Sequence, residues 1–140
     1  MKKSIIALML LSSSIANSQF GVNYHQSLNS SFAGFNYEIK NRFKIEMRMG
    51  SQRNSGWGDR FAFQSILLFD IINKDDYEFY LGVGAYTDWD NEAFFIAPLG
   101  FNFYPLESKK FGVHIELTPI ISNYGETVRA SAGIRYRFLK

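Results

Sequence analysis

With 140 residues, the chain has room for one ordinary domain. Its 15 Lys and Arg exceed its 13 Asp and Glu only through Lys2 and Lys3, so the rest of the chain is neutral and lacks the basic excess of a nucleic-acid binder. There is no cysteine, which excludes a disulfide framework, thiol catalysis and thiolate zinc sites.

The first segment reads as an export signal. Met1-Lys2-Lys3 is a basic start, Ile5 to Leu11 is a short apolar run, and Ser12 to Ser18 are mostly small and polar. Cleavage after Ala16 or after Ser18 satisfies the small-residue rule, and we prefer the second. Residues 1–18 are then a signal peptide and 19–140 the exported domain. The apolar run is far shorter than the ~20 residues of a helical membrane span.

From Phe20 onward nearly every second residue is apolar, in eight stretches, the period of strands with one apolar face. Phe20 to Gln26 carries Phe20, Val22 and Tyr24 on that face. Phe32 to Ile39 carries Ala33, Phe35, Tyr37 and Ile39, and Phe43 to Met49 carries Phe43, Ile45, Met47 and Met49. Arg60 to Ile71 comes next with Phe61, Phe63, Leu67, Phe69 and Ile71, and Tyr77 to Thr87 with Tyr77, Phe79, Leu81, Val83 and Ala85. Phe94 to Tyr104 has Phe95, Ala97, Leu99, Phe101 and Phe103, and Pro98 inside it reads as a bulge. Phe111 to Thr118 has Phe111, Val113, Ile115 and Leu117, and Pro119 is expected to end it. Thr127 to Phe138 carries Val128, Ala130, Ala132, Ile134, Tyr136 and Phe138.

The connections are hairpin-sized and polar, too short for crossover helices, so neighbouring strands are antiparallel. Eight such strands close as an all-β, antiparallel up-and-down barrel. Alternation alone does not say which face is inside. Three features place the apolar face in lipid and make the barrel transmembrane. The aromatic-rich apolar set is too bulky for the interior of an eight-stranded barrel. The alternate face carries the small residues Gly34, Gly82, Gly84, Gly100, Gly112 and Gly133. Aromatics gather at the strand ends: Phe20, Phe43, Phe69, Tyr77, Phe103, Phe111, Tyr136 and Phe138 at one, Phe32, Phe61, Tyr86 and Tyr124 with Trp57 and Trp89 at the other. That is the distribution of two interfacial girdles, with Trp57, Trp89, Tyr136 and Phe138 as anchors.

In pattern and size, residues 20–138 resemble the small OmpA/OmpX-type outer-membrane barrels of Gram-negative bacteria. The most specific segment is Gly133-Ile134-Arg135-Tyr136-Arg137-Phe138, similar to that family's C-terminal assembly signal, although Leu139 and Lys140 come after the Phe. The resemblance implies an outer-membrane address, contact with outer-membrane lipid and lipopolysaccharide, and assembly by the barrel-assembly machinery. It also implies termini and short turns in the periplasm, with the four other loops outside the cell.

The alternate face carries six acids and six bases: Glu38, Lys44, Glu46, Arg48, Arg60, Asp70, Glu78, Asp88, Glu116, Arg129, Arg135 and Arg137. A pore selective for one sign would carry a ring of that sign. A balanced set reads as ion pairs plugging a narrow polar lumen, built on Lys44, Glu46, Arg48, Glu78, Glu116, Arg129, Arg135 and Arg137 as structural residues. His114, Glu116 and Ser131 allow a Ser-His-Glu hydrolase to be imagined, but no nucleophile motif accompanies them. Asp88 to Glu92 gathers oxygen ligands without EF-hand spacing, so no metal site is assigned, and no cofactor or catalytic residue either. The expectation is a monomeric, non-enzymatic envelope barrel that binds no nucleic acid. A narrow passage for small solutes, a lipid-modifying enzyme and a secreted soluble barrel around an apolar ligand are the alternatives.

Overall fold

The computed structural model describes residues 19–40, 42–54, 58–88 and 93–138. The described chain is antiparallel strand and turn: β1 (Gln19–Gln26), β2 (Ser30–Lys40), β3 (Phe43–Asn54), β4 (Gly58–Asn73), β5 (Tyr77–Asp88), β6 (Ala93–Ile96), β7 (Leu99–Phe103), β8 (Phe111–Ser122) and β9 (Gly125–Arg137). Each of β1 to β5 pairs with its sequence neighbour, β6 and β7 together bridge β5 to β8, and β8 pairs with β9. β9 then pairs with β1 and closes the ring, leaving no described strand without two neighbours.

The register fixes the shape of the barrel. The partners of Tyr136 run through Val22, Phe35, Met47, Ser65, Ala85, Phe95 and Ile121 back to Glu126 on β9, ten residues from the start. Eight strand positions staggered by that much tilt the strands by about 40° and make a narrow tube.

The sixth expected strand is two short ones with Pro98 at the break, but Pro98 is not a bulge. Gly84 faces Ile96 and Leu81 faces Leu99, so the same number of residues lies between these pairs on both strands. Phe95 and Phe103 stay outside while Ile96, Pro98 and Gly100 stay inside. Nor does Pro119 end a strand: β8 continues through it to Ser122. Its carbonyl accepts from Ala97 N–H at 3.1 Å, and Pro98's carbonyl accepts from Gly82 N–H at 2.7 Å. Both prolines therefore lack their donor at one place in the wall, on opposite sides of the interrupted strand, and the ladder opens without slipping. The true register shifts lie near turns, between Glu38 and Lys40 and between Asp70 and Ile72.

The apolar set faces outward. Ile45, Met47, Leu67, Val83 and Ile115 are exposed, whereas Lys44, Glu46, Arg48 and Gln64 between or beside them are buried. Phe61, Tyr124, Tyr136 and Phe138 are also exposed at the ends, the last two stacked edge-on at 5.3 Å. Phe32 and Tyr86, expected in the outer girdle, are instead 2% and 4% exposed inside the barrel. The alternation that puts Ala33 and Ala85 outside turns both inward. Trp57 and Trp89 lie outside the described residues, as do the signal segment 1–18 and Leu139 and Lys140.

Candidate functional site

Among the described residues, the barrel interior is where the chain concentrates chemistry. Strand parity delivers its side chains: each charged residue alternates with an outward apolar one, so the sheet holds both sets at once. Ring closure then brings together residues far apart in sequence.

At the end nearer the termini, Glu78 on β5 is the hub. It accepts from Lys44 Nζ at 2.9 Å, Asn102 Nδ2 at 2.9 Å and the Tyr104 hydroxyl at 3.1 Å, and it pairs with Arg137. Arg135 approaches it at 3.7 Å, and Lys44 also reaches Asp70 at 2.7 Å. Arg137 lies 3.5 Å above the Tyr104 ring. A polar recess of about 350 Å³ beside Glu38, Arg42, Lys74 and Arg137 opens at this end.

Mid-barrel, Arg48 spans the lumen. Nη1 and Nη2 donate to the two carboxylate oxygens of Glu116 at 2.6 Å each, and Nε donates to Glu46. Glu46 also accepts from Arg135 at 2.7 Å; Glu116 also accepts from the Tyr80 hydroxyl at 2.6 Å and the Thr118 hydroxyl at 2.8 Å. Glu46, Arg48 and Glu116 are at most 3% exposed, so the pairs lie in a dry cross-section. Gly100 makes room for this layer: a Cβ there would stand 2.3 Å from the Tyr80 ring.

The lumen is polar along only part of its wall. Ala62, Ile66, Leu68 and Ile96, with Phe32, Tyr80 and Tyr86, form a buried cluster on the β4–β6 side. Pro98 packs there, and a Cβ on Gly82 would come within 2.8 Å of it. The polar lumen expected from the sequence is thus salt-bridged on one side and lined by an apolar cluster on the β4–β6 side.

Arg129 is drawn into no ion pair among the described residues, unlike the other cations of the expected network. Its guanidinium lies 4.8 Å from the Phe32 ring centroid. Both Nη atoms donate to the Gln64 amide oxygen, at 2.9 and 3.0 Å, in the amide orientation that satisfies both groups. Arg60 and Asp88, nearer the far rim, are half-buried.

His114, Glu116 and Ser131 do not assemble as a triad. His114 Nε2 meets His25 Nδ1 at 2.9 Å with the rings 4.1 Å apart, and the Ser131 hydroxyl has no hydrogen-bond partner among the described residues. Sequence carries no signal for the His25 partner, because β1 and β8 are not paired neighbours but each pairs with β9, across which the two rings meet. Of the Asp88 to Glu92 run, Asp90, Asn91 and Glu92 lie outside the described residues. No cluster of three potential metal ligands occurs among the described residues.

No family model and no curated protein matches the sequence. Solved structures do. The N-terminal β-barrel domain of Pseudomonas aeruginosa OprF aligns with a TM-score of 0.70 at 10% identity, over 86% of this chain and 96% of that domain. The Yersinia pestis outer membrane protein Ail, in a phospholipid bilayer nanodisc, gives 0.61 at 14% identity, over 86% and 98%. The de novo designed protein TMB2.3 gives 0.65 at 17% identity, over 88% and 94%. A fold shared by natural and designed chains at such identities carries architecture, not activity. The chain has the all-β fold of the eight-stranded outer-membrane barrels, the architecture of the OmpA/OmpX-type proteins that its sequence resembles.

Proposed function

We propose that the protein is a non-enzymatic outer-membrane barrel of a Gram-negative envelope, exported by a signal peptide cleaved after Ser18, with a closed lumen and a surface or structural role. Its termini and short turns face the periplasm and the opposite rim faces outward. It contacts outer-membrane lipid and lipopolysaccharide, is inserted by the barrel-assembly machinery and works as a monomer. Lys44, Glu46, Arg48, Glu78, Glu116, Arg135 and Arg137 act in it as structural residues, and Arg129 stands apart from them.

The observation that carries this reading is the mid-barrel layer. Arg48 is clamped between Glu46 and Glu116, Arg135 joins Glu46, and the buried apolar cluster fills the facing wall. An ion crossing here must break a buried pair, and removing one partner of such a pair costs about 3–5 kcal/mol. Purified protein in planar bilayers is expected to show no steady conductance. Large, stable, ion-selective channels would contradict the closed lumen and make Lys44, Glu46 and Arg48 pathway residues.

A further inference from the structure

The barrel wall has a notch between β9 and β2. β1 ends at Gln26, opposite Ala132, but β9 runs on from Ser131 to Gly125 with only β8 beside it. Phe138 N–H donates to the Phe20 carbonyl on the β1 side, and Arg137 N–H to the Lys110 carbonyl on the β8 side. By the same alternation, the N–H and C=O groups of Ala130, Val128 and Glu126 point to the side that β1 does not reach. The apolar belt drops with the wall. On β1 it stops at Tyr24, whereas on β8 it continues to Ile121.

Two further observations converge on this place. On its lumen side stands Arg129, reaching over the end of β1 to the ring of Phe32 on β2. Lys44, Arg48, Arg135 and Arg137 all have carboxylates within ion-pair distance; among the described residues Arg129 has none that close, only the neutral Gln64 amide and the Phe32 ring. On its outer side an apolar groove of about 690 Å³ descends from Leu28 across Ala130 and Ala132 to Ile115 and Phe101. The two alanines leave the wall low there, and Val128 above them is 68% exposed.

We propose that notch and groove together bind an anionic phospholipid of the outer leaflet, one whose phosphate charge is not already neutralised within its own headgroup. One acyl chain lies in the groove, and the phosphate pairs with Arg129 and the backbone N–H groups of Val128 and Ala130, which no described strand pairs on that side. The proposal rests on the outer-membrane reading above. The direction fits, since the cationic end is at the outer rim and the apolar end runs toward mid-barrel, as an outer-leaflet lipid stands. A guanidinium and free backbone N–H groups are a natural phosphate set. A second copy does not fit. Two barrels inserted the same way and related by an axis along the membrane normal have their β9 strands tilted about 40° in opposite senses, so these cross instead of pairing. An uncharged peptide strand would leave the charge of Arg129 unanswered.

The test uses nanodiscs of dimyristoyl phosphatidylcholine with a minor share of dimyristoyl phosphatidylglycerol, and then native mass spectrometry of the released protein. Wild type is expected to retain a single phosphatidylglycerol, enriched several-fold over its share of the bilayer. Arg129→Gln removes the cation, and Gln64→Glu gives Arg129 an internal carboxylate; both are expected to lose the enrichment while remaining heat-modifiable. Ala132→Phe fills the groove and is expected to abolish retention of either lipid. No retained lipid, retention in the bilayer ratio, enrichment that survives either Arg129→Gln or Gln64→Glu, or retention that survives Ala132→Phe would overturn the proposal. Failure of the wild type to enter nanodiscs would instead bring down the outer-membrane reading, and the site with it.

Discussion

Ile115 and Glu116 are neighbours in sequence that the strand sends into different surroundings. Ile115 is 63% exposed on the outer belt, and Glu116 is 3% exposed between Arg48, Tyr80 and Thr118. Their substitutions should fail for different reasons. Ile115→Arg places a charge on the lipid face, at about 2–4 kcal/mol near mid-bilayer, and should block assembly, read as loss of the heat-modifiable band. Normal assembly of this variant in membranes would reverse the assignment of faces. Glu116→Gln leaves the Arg48 guanidinium underpaired in a dry section and should lower unfolding stability by about 3–5 kcal/mol in denaturant titrations. An unchanged midpoint would mean that water reaches Arg48. Parity makes the side of each of these residues legible in the sequence. It does not reveal partners: Arg48 and Glu116 meet across the lumen only because the ring closes with a stagger of ten residues. Phe32 and Tyr86 depart from the expected girdle because parity outweighs aromatic type. Arg129 enters the expected ion-pair network on charge alone, since sequence shows charge but not distance.

At the scale of the strand, the prolines are the informative residues. Pro98 and Pro119 both read as interruptions in the sequence, and each removes one ladder donor, but neither changes the side of any residue. A bulge would insert a residue and turn Ala97 or Leu99 inward. Sequence locates a missing N–H but not whether neighbouring strands absorb it by slipping. Here Gly82 leaves space for the Pro98 ring against Leu68 and Ile66, which holds the strand in place. Pro98→Ala is therefore expected to join β6 and β7 in one register. In hydrogen-exchange experiments the new amide at position 98 should be protected by the Gly82 carbonyl, with the Leu81–Leu99 pairing unchanged. Altered cross-strand contacts at Leu99 or Phe101 would show that the proline itself sets the register.

At the scale of the molecule, strand order, antiparallel pairing and the outward apolar face are readable from the sequence, because each arises from alternation and short connections. Stagger is not readable, because it arises from how the eighth strand position meets the first, whereas the apolar side of the lumen follows from the inward parity of Ala62, Ile66, Leu68 and Ile96 on β4 and β6. Fold, lumen and address all turn on which solvent the alternating faces meet. The absence of cysteine makes that directly measurable, since single cysteines can be placed without background. Val83→Cys and Leu117→Cys on the outward face, and Gln64→Cys and Thr118→Cys on the inward face, would each carry a small fluorophore in liposomes containing spin-labelled lipid. Strong quenching is expected at positions 83 and 117 and little at 64 and 118. Quenching at neither pair, or stronger quenching at the inward pair, would contradict a barrel that turns its apolar face to lipid.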